Sequence, residues 1–330
     1  MNSFGKIFKI NIFGESHGPE VGVTTDGCPP GIPISWEDFE TDLARRKSGA
    51  KGTTQRKESD TPRLISGVYQ GHTTGSPLTI LFENSDTRSG DYSDFADIPR
   101  PGHADFTARK IYSGFNDPRG GGHFSGRITI GLVAAGVIAR KIIAPVEIKA
   151  RLVEVGGEKD IEHAVGKAIA SNDSIGGIVE CKVNNMPMGL GEPFFDSLES
   201  LISHMVFSIP GIKGIEFGAG FDSARMRGSE HNDSFISVDG RTKTNYACGI
   251  NGGISNGNPL VFRIAVKPTS SISKKQKTIN MTTGEMVNME IKGRHDVCIA
   301  LRVPVIVEAA TAVVLADLFL LNQQPVKRYE

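Results

Sequence analysis

The chain has little cysteine, one tryptophan and no surplus of either charge. Its four cysteines, Cys28, Cys181, Cys248 and Cys298, are far apart and make no Cys-x-x-Cys pair. That argues against a zinc knuckle and a disulfide framework, and reduced thiols suit the cytoplasm. Lysine plus arginine total 37, as do aspartate plus glutamate, so the formal net charge is zero over 330 residues. Nucleic-acid binding, which leans on a basic surplus, has no support. No apolar run reaches the roughly 18 residues of a membrane span without a glycine or a charge breaking it. Residues 1–10 lack a signal-like apolar core, so no membrane association is expected. Also missing are His-Glu-x-x-His, a Gly-x-Ser-x-Gly elbow after a strand, a Walker loop and a convincing dinucleotide fingerprint. A zinc hydrolase, a serine hydrolase and a P-loop enzyme are therefore disfavoured, and no metal site is expected.

What the chain has is glycine, 39 residues of it, scattered among apolar runs. The densest chemistry lies in residues 101–140. A turn at Arg100-Pro101-Gly102 leads into His103, Ala104 and Asp105. Three consecutive glycines, 120 to 122, then precede His123, Phe124, Ser125, Gly126 and Arg127. Residues 128–143 are almost all apolar or small, as in a helix buried on most sides. Glycines let backbone N–H groups approach a ligand closely, and a helix start adds partial positive charge, so an anion site is one reading and a plain capped turn the other.

Elsewhere, residues 8–13 predict a first strand ending in Gly14-Glu15-Ser16-His17-Gly18. Residues 21–25 predict its return. Ser35 with Asp38 predicts a capped helix burying Trp36, Phe39 and Leu43. Arg45, Arg46, Lys47, Lys51, Arg56 and Lys57 follow, with Thr53 and Thr54 adding hydroxyls: a local cationic cluster suited to phosphate or carboxylate. Strands are expected over 64–69, 78–82, 145–155, 175–183, 212–217 and 260–266, and helices after Asp160 and over 196–207 and 304–321. Residues 86–97 and 225–233 read as polar loops. Lys267, Pro268, Thr269, Ser270 and Ser271 put a cation and three hydroxyls at a strand end. Gly293-Arg294-His295-Asp296 would set Arg294 and Asp296 on one face if extended. No repeat or linker divides the chain, so residues 1–330 read as one domain. These residues point to an enzyme acting on a multiply anionic small molecule, with histidine moving protons. They do not reach the reaction.

Taken together and in order, six of these segments resemble the chorismate synthase family over nearly the whole chain: residues 2–18, the Arg45 to Glu58 loop, Arg100 to Asp105, Gly120 to Arg127, Lys267 to Ser271 and Gly293 to Asp296. The resemblance implies an α+β fold, a β-α-β sandwich with helices between antiparallel sheets, assembled as a homotetramer. It implies 1,4-anti elimination of phosphate from 5-enolpyruvylshikimate 3-phosphate to give chorismate, with reduced FMN as a cofactor that is not consumed. By position it implies His17 as proton donor to the departing phosphate, His103 as stabiliser of the reduced flavin and Asp296 as an aid to proton uptake. Arg45, Arg46 and Lys51 would hold substrate, or NADPH where a member reduces its own flavin. His123, Phe124, Ser125, Pro210, Gly211, Gly252, residues 267–271 and Arg294 would hold FMN. The flavin loop departs from the commoner Gly-Gly-Gly-Arg-Ser-Ser-Ala-Arg at His123, which replaces a permanent charge. Lys51 replaces an arginine fork with a point charge. The rival expectations are another FMN-binding reductase and an anion-binding protein without catalysis.

Overall fold

The computed structural model describes residues 2–87, 95, 97–291 and 295–323. The first strands are β1 (Ser3–Phe4), β2 (Lys9–Gly14) and β3 (Glu20–Asp26), followed by α1 (Glu37–Arg46). Next come β4 (Arg63–Ser66), a small hairpin of β5 (Val68–Tyr69) and β6 (His72–Thr73), and β7 (Leu78–Glu83). Five of these strands make an antiparallel sheet in the order β1-β2-β3-β7-β4. Strand alternation puts Val21 and Val23 of β3 and Leu78, Ile80 and Phe82 of β7 in the core.

The chain continues through α2 (Asp105–Ile111) and α3 (Thr129–Ile142) to β8 (Glu147–Val155), α4 (Ile161–Ala170) and β9 (Gly177–Asn184). Then follow α5 (Leu198–Phe207), β10 (Ile212–Phe217), α6 (Gly228–His231) and a hairpin of β11 (Ile250–Asn251) and β12 (Ile254–Ser255). The last elements are β13 (Leu260–Val266), a hairpin of β14 (Gln276–Ile279) and β15 (Met286–Met289), and α7 (Val303–Asn322). A second antiparallel sheet runs β10-β13-β9-β8.

Between the sheets lie α3, packed on β3, and α7, packed on β8 and β9, with the two helices in contact. This is the expected β-α-β sandwich. Both helices are apolar on nearly every face because each has a sheet on one side and a helix on the other. At their crossing a Cβ on Gly136 would run into the backbone of Ala309, so glycine there sets how close the helices come. Each buried Val, Leu or Ile on these faces contributes about 1.5–3 kcal/mol.

By length and composition α7 is apolar enough to cross a membrane, but it is buried inside the protein. Its two acids are matched, as buried charge requires. Glu308 accepts from Arg45 at 2.6 and 2.8 Å and from the Ala150 N–H at 2.8 Å. Asp317 accepts from the N–H groups of Lys6, Ile7 and Phe8 at 2.7–3.0 Å.

Some local expectations change. Trp36 is 54% exposed, since it precedes the first helical turn; Phe39, Leu43 and Arg46 carry the burial of α1. Asp38 does accept from the Ser35 N–H at 2.8 Å, and Asp160 caps α4 as expected. The polar stretch 225–233 contains the short α6. Most of the 86–97 loop lies outside the described residues.

Candidate active site

The glycine-rich loop is a run of 3-10 turns, Arg119–Phe124, in which Gly120, Gly121 and Gly122 all take positive φ (59°, 81° and 53°). Only glycine adopts this series without strain. The Ser16 N–H donates to the Gly122 carbonyl at 3.0 Å, tying the loop to the end of β2. A Cβ on Gly120 would collide with the His17 ring and the Ser16 hydroxyl, and one on Gly121 would sit 3.3 Å from the His103 ring. The loop therefore fits between the two histidines, covering His17 and leaving His103 partly exposed.

His103 stands on the turn before α2. Its Nδ1 lies 2.5 Å from Asp105 Oδ1. Arg100 donates to the same carboxylate through Nε (2.7 Å) and Nη2 (2.8 Å), and to Ser271 Oγ through Nη1 (3.2 Å), with its guanidinium over the Phe95 ring. Burial opposes ionisation of Asp105, but the hydrogen bonds from Arg100 and His103 outweigh it and hold the carboxyl well below the usual range. The strand-end segment docks on this turn. Lys267 Nζ donates to the Gly102 carbonyl (2.5 Å) and Ser270 Oγ (3.0 Å), and Ser270 Oγ donates to Gly102 (2.7 Å). Burial, with Lys213 adding to it, lowers the Lys267 ammonium.

Two cavities meet here. The first, about 720 Å³, is lined by His103, His123, Phe124, Ser125, Pro210, Gly211 and residues 267–271, with Ile10, Ile12, Leu132 and Ile306 as apolar wall. The second, about 420 Å³, is lined by Ser16, Arg46, Arg56, Arg127, His295 and Arg302. Arg100, Gly120, Ser125, Ser271, Asp296 and Arg302 line both. Asp296 on this shared wall accepts from the Thr54 N–H (2.9 Å) and lies 3.4 Å from Arg302 Nη1. His17 is buried behind Gly120, beside Ser16.

The second cavity is cationic by construction. Asp60 is buried between Arg46 (2.8 Å) and Arg127. Arg46 spends one nitrogen on Asp60, while its Nε and Nη1 are buried with no hydrogen-bond partner among the described residues. Burial pushes Arg46 down to about 10, with Asp60 opposing, so it stays charged at neutral pH. Arg56 donates to the Ser16 hydroxyl (2.8 Å) and carbonyl (2.9 Å) and to Glu58. Burial first, then Arg56 and Arg119, lower His17 from 6.5. Such a site attracts an anion, and the same cations disfavour a proton on His17.

The structure brings His103, Asp296, Arg46, residues 123–125, Pro210, Gly211 and residues 267–271 to the two cavities, while His17 sits behind Gly120 and lines neither. Arg45 instead forms the ion cluster with Glu308 and Asp42 and lines neither cavity. Lys51 is exposed, and Gly252 lies in the β11–β12 turn; neither borders the cavities. Arg294 lies outside the described residues. His123 turns its nitrogens to the Gly14 carbonyl (2.8 Å) and to Asn2 Oδ1 (3.2 Å). Sequence reasoning placed Arg127 in the glycine-rich loop without giving it a partner, and missed Asp60 and Arg302 as parts of the site. Asp60 and Arg302 have no local mark. Among the described residues, no group of three or more His, Cys, Asp or Glu is placed to hold a metal ion.

Comparison with known proteins agrees with this geometry. A family model described as chorismate synthase matches residues 8–320. The chorismate synthase of Chitinophaga pinensis is 63% identical over 325 residues, covering 98% of each chain. That of a Dehalococcoides mccartyi strain is 46% identical over 351 residues, covering 97% of this chain and 96% of the other. A solved structure described as a crystal structure of chorismate synthase superposes with a TM-score of 0.76 at 24% identity, over 97% of this chain and 94% of that one, and supports the fold. On the family match and these identities over nearly full length, the chain belongs to the chorismate synthase family.

Proposed function

We propose that the two joined cavities divide the work of this carbon–oxygen lyase, one holding the cofactor and the other the phosphorylated substrate. The reaction is loss of phosphate and a ring hydrogen from 5-enolpyruvylshikimate 3-phosphate, giving chorismate. The observation that carries the division is Arg46: a buried cation with two nitrogens unpaired among the described residues, bordering a cavity whose wall, Asp296, also borders the cavity of His103.

The first cavity suits FMN. Its volume lies in the usual range of ligand sites. Lys267 and the hydroxyls of residues 269–271 offer phosphate and ribityl contacts at one place, and its apolar walls suit a flat ring. His123, Phe124, Ser125, Pro210 and Gly211 would hold the remainder. A bound, reduced flavin would supply an electron-rich ring able to assist carbon–oxygen cleavage and accept the ring hydrogen.

The chain's own residues do the rest. Arg46, Arg56 and Arg127 draw in the phosphate, and its dianion raises the proton affinity of His17, which then protonates the leaving oxygen. Preorganised donors aimed at developing charge are worth about 3 kcal/mol each. His103 offers a ring nitrogen to the first cavity for proton exchange, and Asp296, on the wall the two cavities share, assists transfer of the hydrogen. The chain works as one domain and as a homotetramer in the cytoplasm. Self-association is supported by exposed Phe194, Phe195, Phe221, Phe235, Ile236 and Val238, and the cytoplasm by four buried free thiols.

The test is anaerobic addition of substrate to protein with reduced FMN. Phosphate release and chorismate absorbance should rise together; absence of both with flavin bound would overturn the proposal. His17→Ala, His103→Ala and Asp296→Ala should each lower turnover about 10²-fold or more. Stopped-flow NADPH oxidation with FMN decides whether the chain reduces its own cofactor.

A further inference from the structure

The geometry points to Asp105 as the positioning residue that sets the tautomer of His103, leaving Nε2 as the nitrogen that exchanges a proton with the occupant of the first cavity. This rests on the proton-handling role proposed above for His103. Asp105 opens α2 with its side chain only 4% exposed. Its Oδ1 lies 2.5 Å from His103 Nδ1 and 2.8 Å from Arg100 Nη2. Its Oδ2 accepts from Arg100 Nε at 2.7 Å and from the Arg100 N–H at 3.0 Å. An ionised carboxylate can only accept, so Nδ1 carries the proton.

Arg100 does not decide the choice, since its Nη2 lies 3.0 Å from His103 Nδ1 and 3.2 Å from Nε2 and so faces both nitrogens. The carboxylate decides it: the opposite tautomer would set an Nδ1 lone pair against an ionised acid 2.5 Å away. A separate observation agrees. Gly121 lies against the Cε1–Nε2 edge, where a Cβ would come within 3.3 Å of both atoms. The glycine keeps open the nitrogen that the acid leaves free. The ring is thus held at Nδ1 and available at Nε2, as a hydrogen bond to the other nitrogen commonly arranges for a working histidine.

The test uses ¹⁵N-histidine protein, with the His103 signals identified by their loss in His103→Gln. The wild type should show a proton-bearing Nδ1 and an unprotonated Nε2 at neutral to mildly basic pH. Asp105→Ala should move His103 to the Nε2–H form and lower kcat about 10²-fold, with KM changed less than about threefold. Asp105→Asn, whose amide can offer either an oxygen or an N–H to Nδ1, should populate both forms. It carries the test if the alanine variant does not fold. Asp105→Glu should restore the Nδ1–H form. A native Nδ1–H signal in Asp105→Ala, or in Asp105→Asn where only that variant folds, overturns the assignment. If the tautomer moves but His103→Ala turns over like wild type, the proton-handling role of His103 fails and not the tautomer.

Discussion

Replacing Asp60 with asparagine changes one atom type in a side chain wedged between two buried arginines, so its consequences can be worked from the structure. The carboxylate is 1% exposed and pairs with Arg46 and Arg127, themselves 3% and 4% exposed. Removing one partner from a buried ionic group typically costs about 3–5 kcal/mol, because the remaining charge is left uncompensated. With a melting entropy near 2.1 cal/mol/K per residue, a chain of 330 residues changes by about 0.7 kcal/mol per kelvin. The melting temperature should therefore fall by roughly 4–7 °C. Both arginines border the second cavity, so the variant should also gain more from an anion than the wild type does. Calorimetry with and without inorganic phosphate, at matched ionic strength, reads both effects. The pH dependence has a definite sign. Burial opposes ionisation of Asp60, but Arg46 and Arg127 hold its carboxyl below 3.8. Its contribution is complete above 3.8 and is lost as pH falls through the lower folded value, so the deficit of the variant should shrink in acid. A melting temperature within about 1 °C of wild type, or equal phosphate stabilisation of both proteins, would refute Asp60 as the counter-ion of the anion cavity.

His17 should titrate below 6.5 in the ligand-free protein and higher once phosphate or a phosphorylated ligand is bound. With its folded value depressed, the stability it contributes is present above 6.5 and is lost as pH falls through that value. Histidine NMR reads the midpoint, and a ligand-free midpoint above 6.5 would contradict the burial argument. Gly120→Ala should cost about 1–2 kcal/mol for the left-handed backbone. It should also displace His17, lowering kcat at least tenfold; normal turnover in a folded variant would sink the packing role of the loop. Phe195→Glu should shift the assembly toward smaller species in sedimentation velocity without loss of helical signal. An unchanged sedimentation coefficient would remove that face from the proposed tetramer.

Much of the fold was legible because periodicity and buried faces coincide. The alternation in β7 and β13 and the largely apolar character of α3 and α7 each allow one placement, between or within covered layers. Trp36 was misplaced because helical spacing was extended one residue before the first turn. The site was legible where local chemistry marks it: glycines 120 to 122 stand beside His123 and close to the His103 turn, and Lys267 to Ser271 concentrates donors. It was not legible where partners come from far along the chain. Nothing near Arg45 announces that Glu308, 263 residues away, takes up its charge and leaves Arg46 to face the cavity. The same holds for Asp60, whose meaning depends on Arg127.

Asp317 sets a timetable for synthesis. It gathers the N–H groups of Lys6, Ile7 and Phe8 from 309 to 311 residues away, so the start of β2 cannot be secured until α7 has been made. At roughly 5–20 residues per second, translation leaves that opening segment waiting on the order of 15–60 seconds. During that wait the first sheet has no α7 beneath α3, and its apolar face is exposed to other nascent chains or to a chaperone. Asp317→Asn should therefore reduce the yield of soluble protein made in cells more than it reduces the stability of the protein once folded.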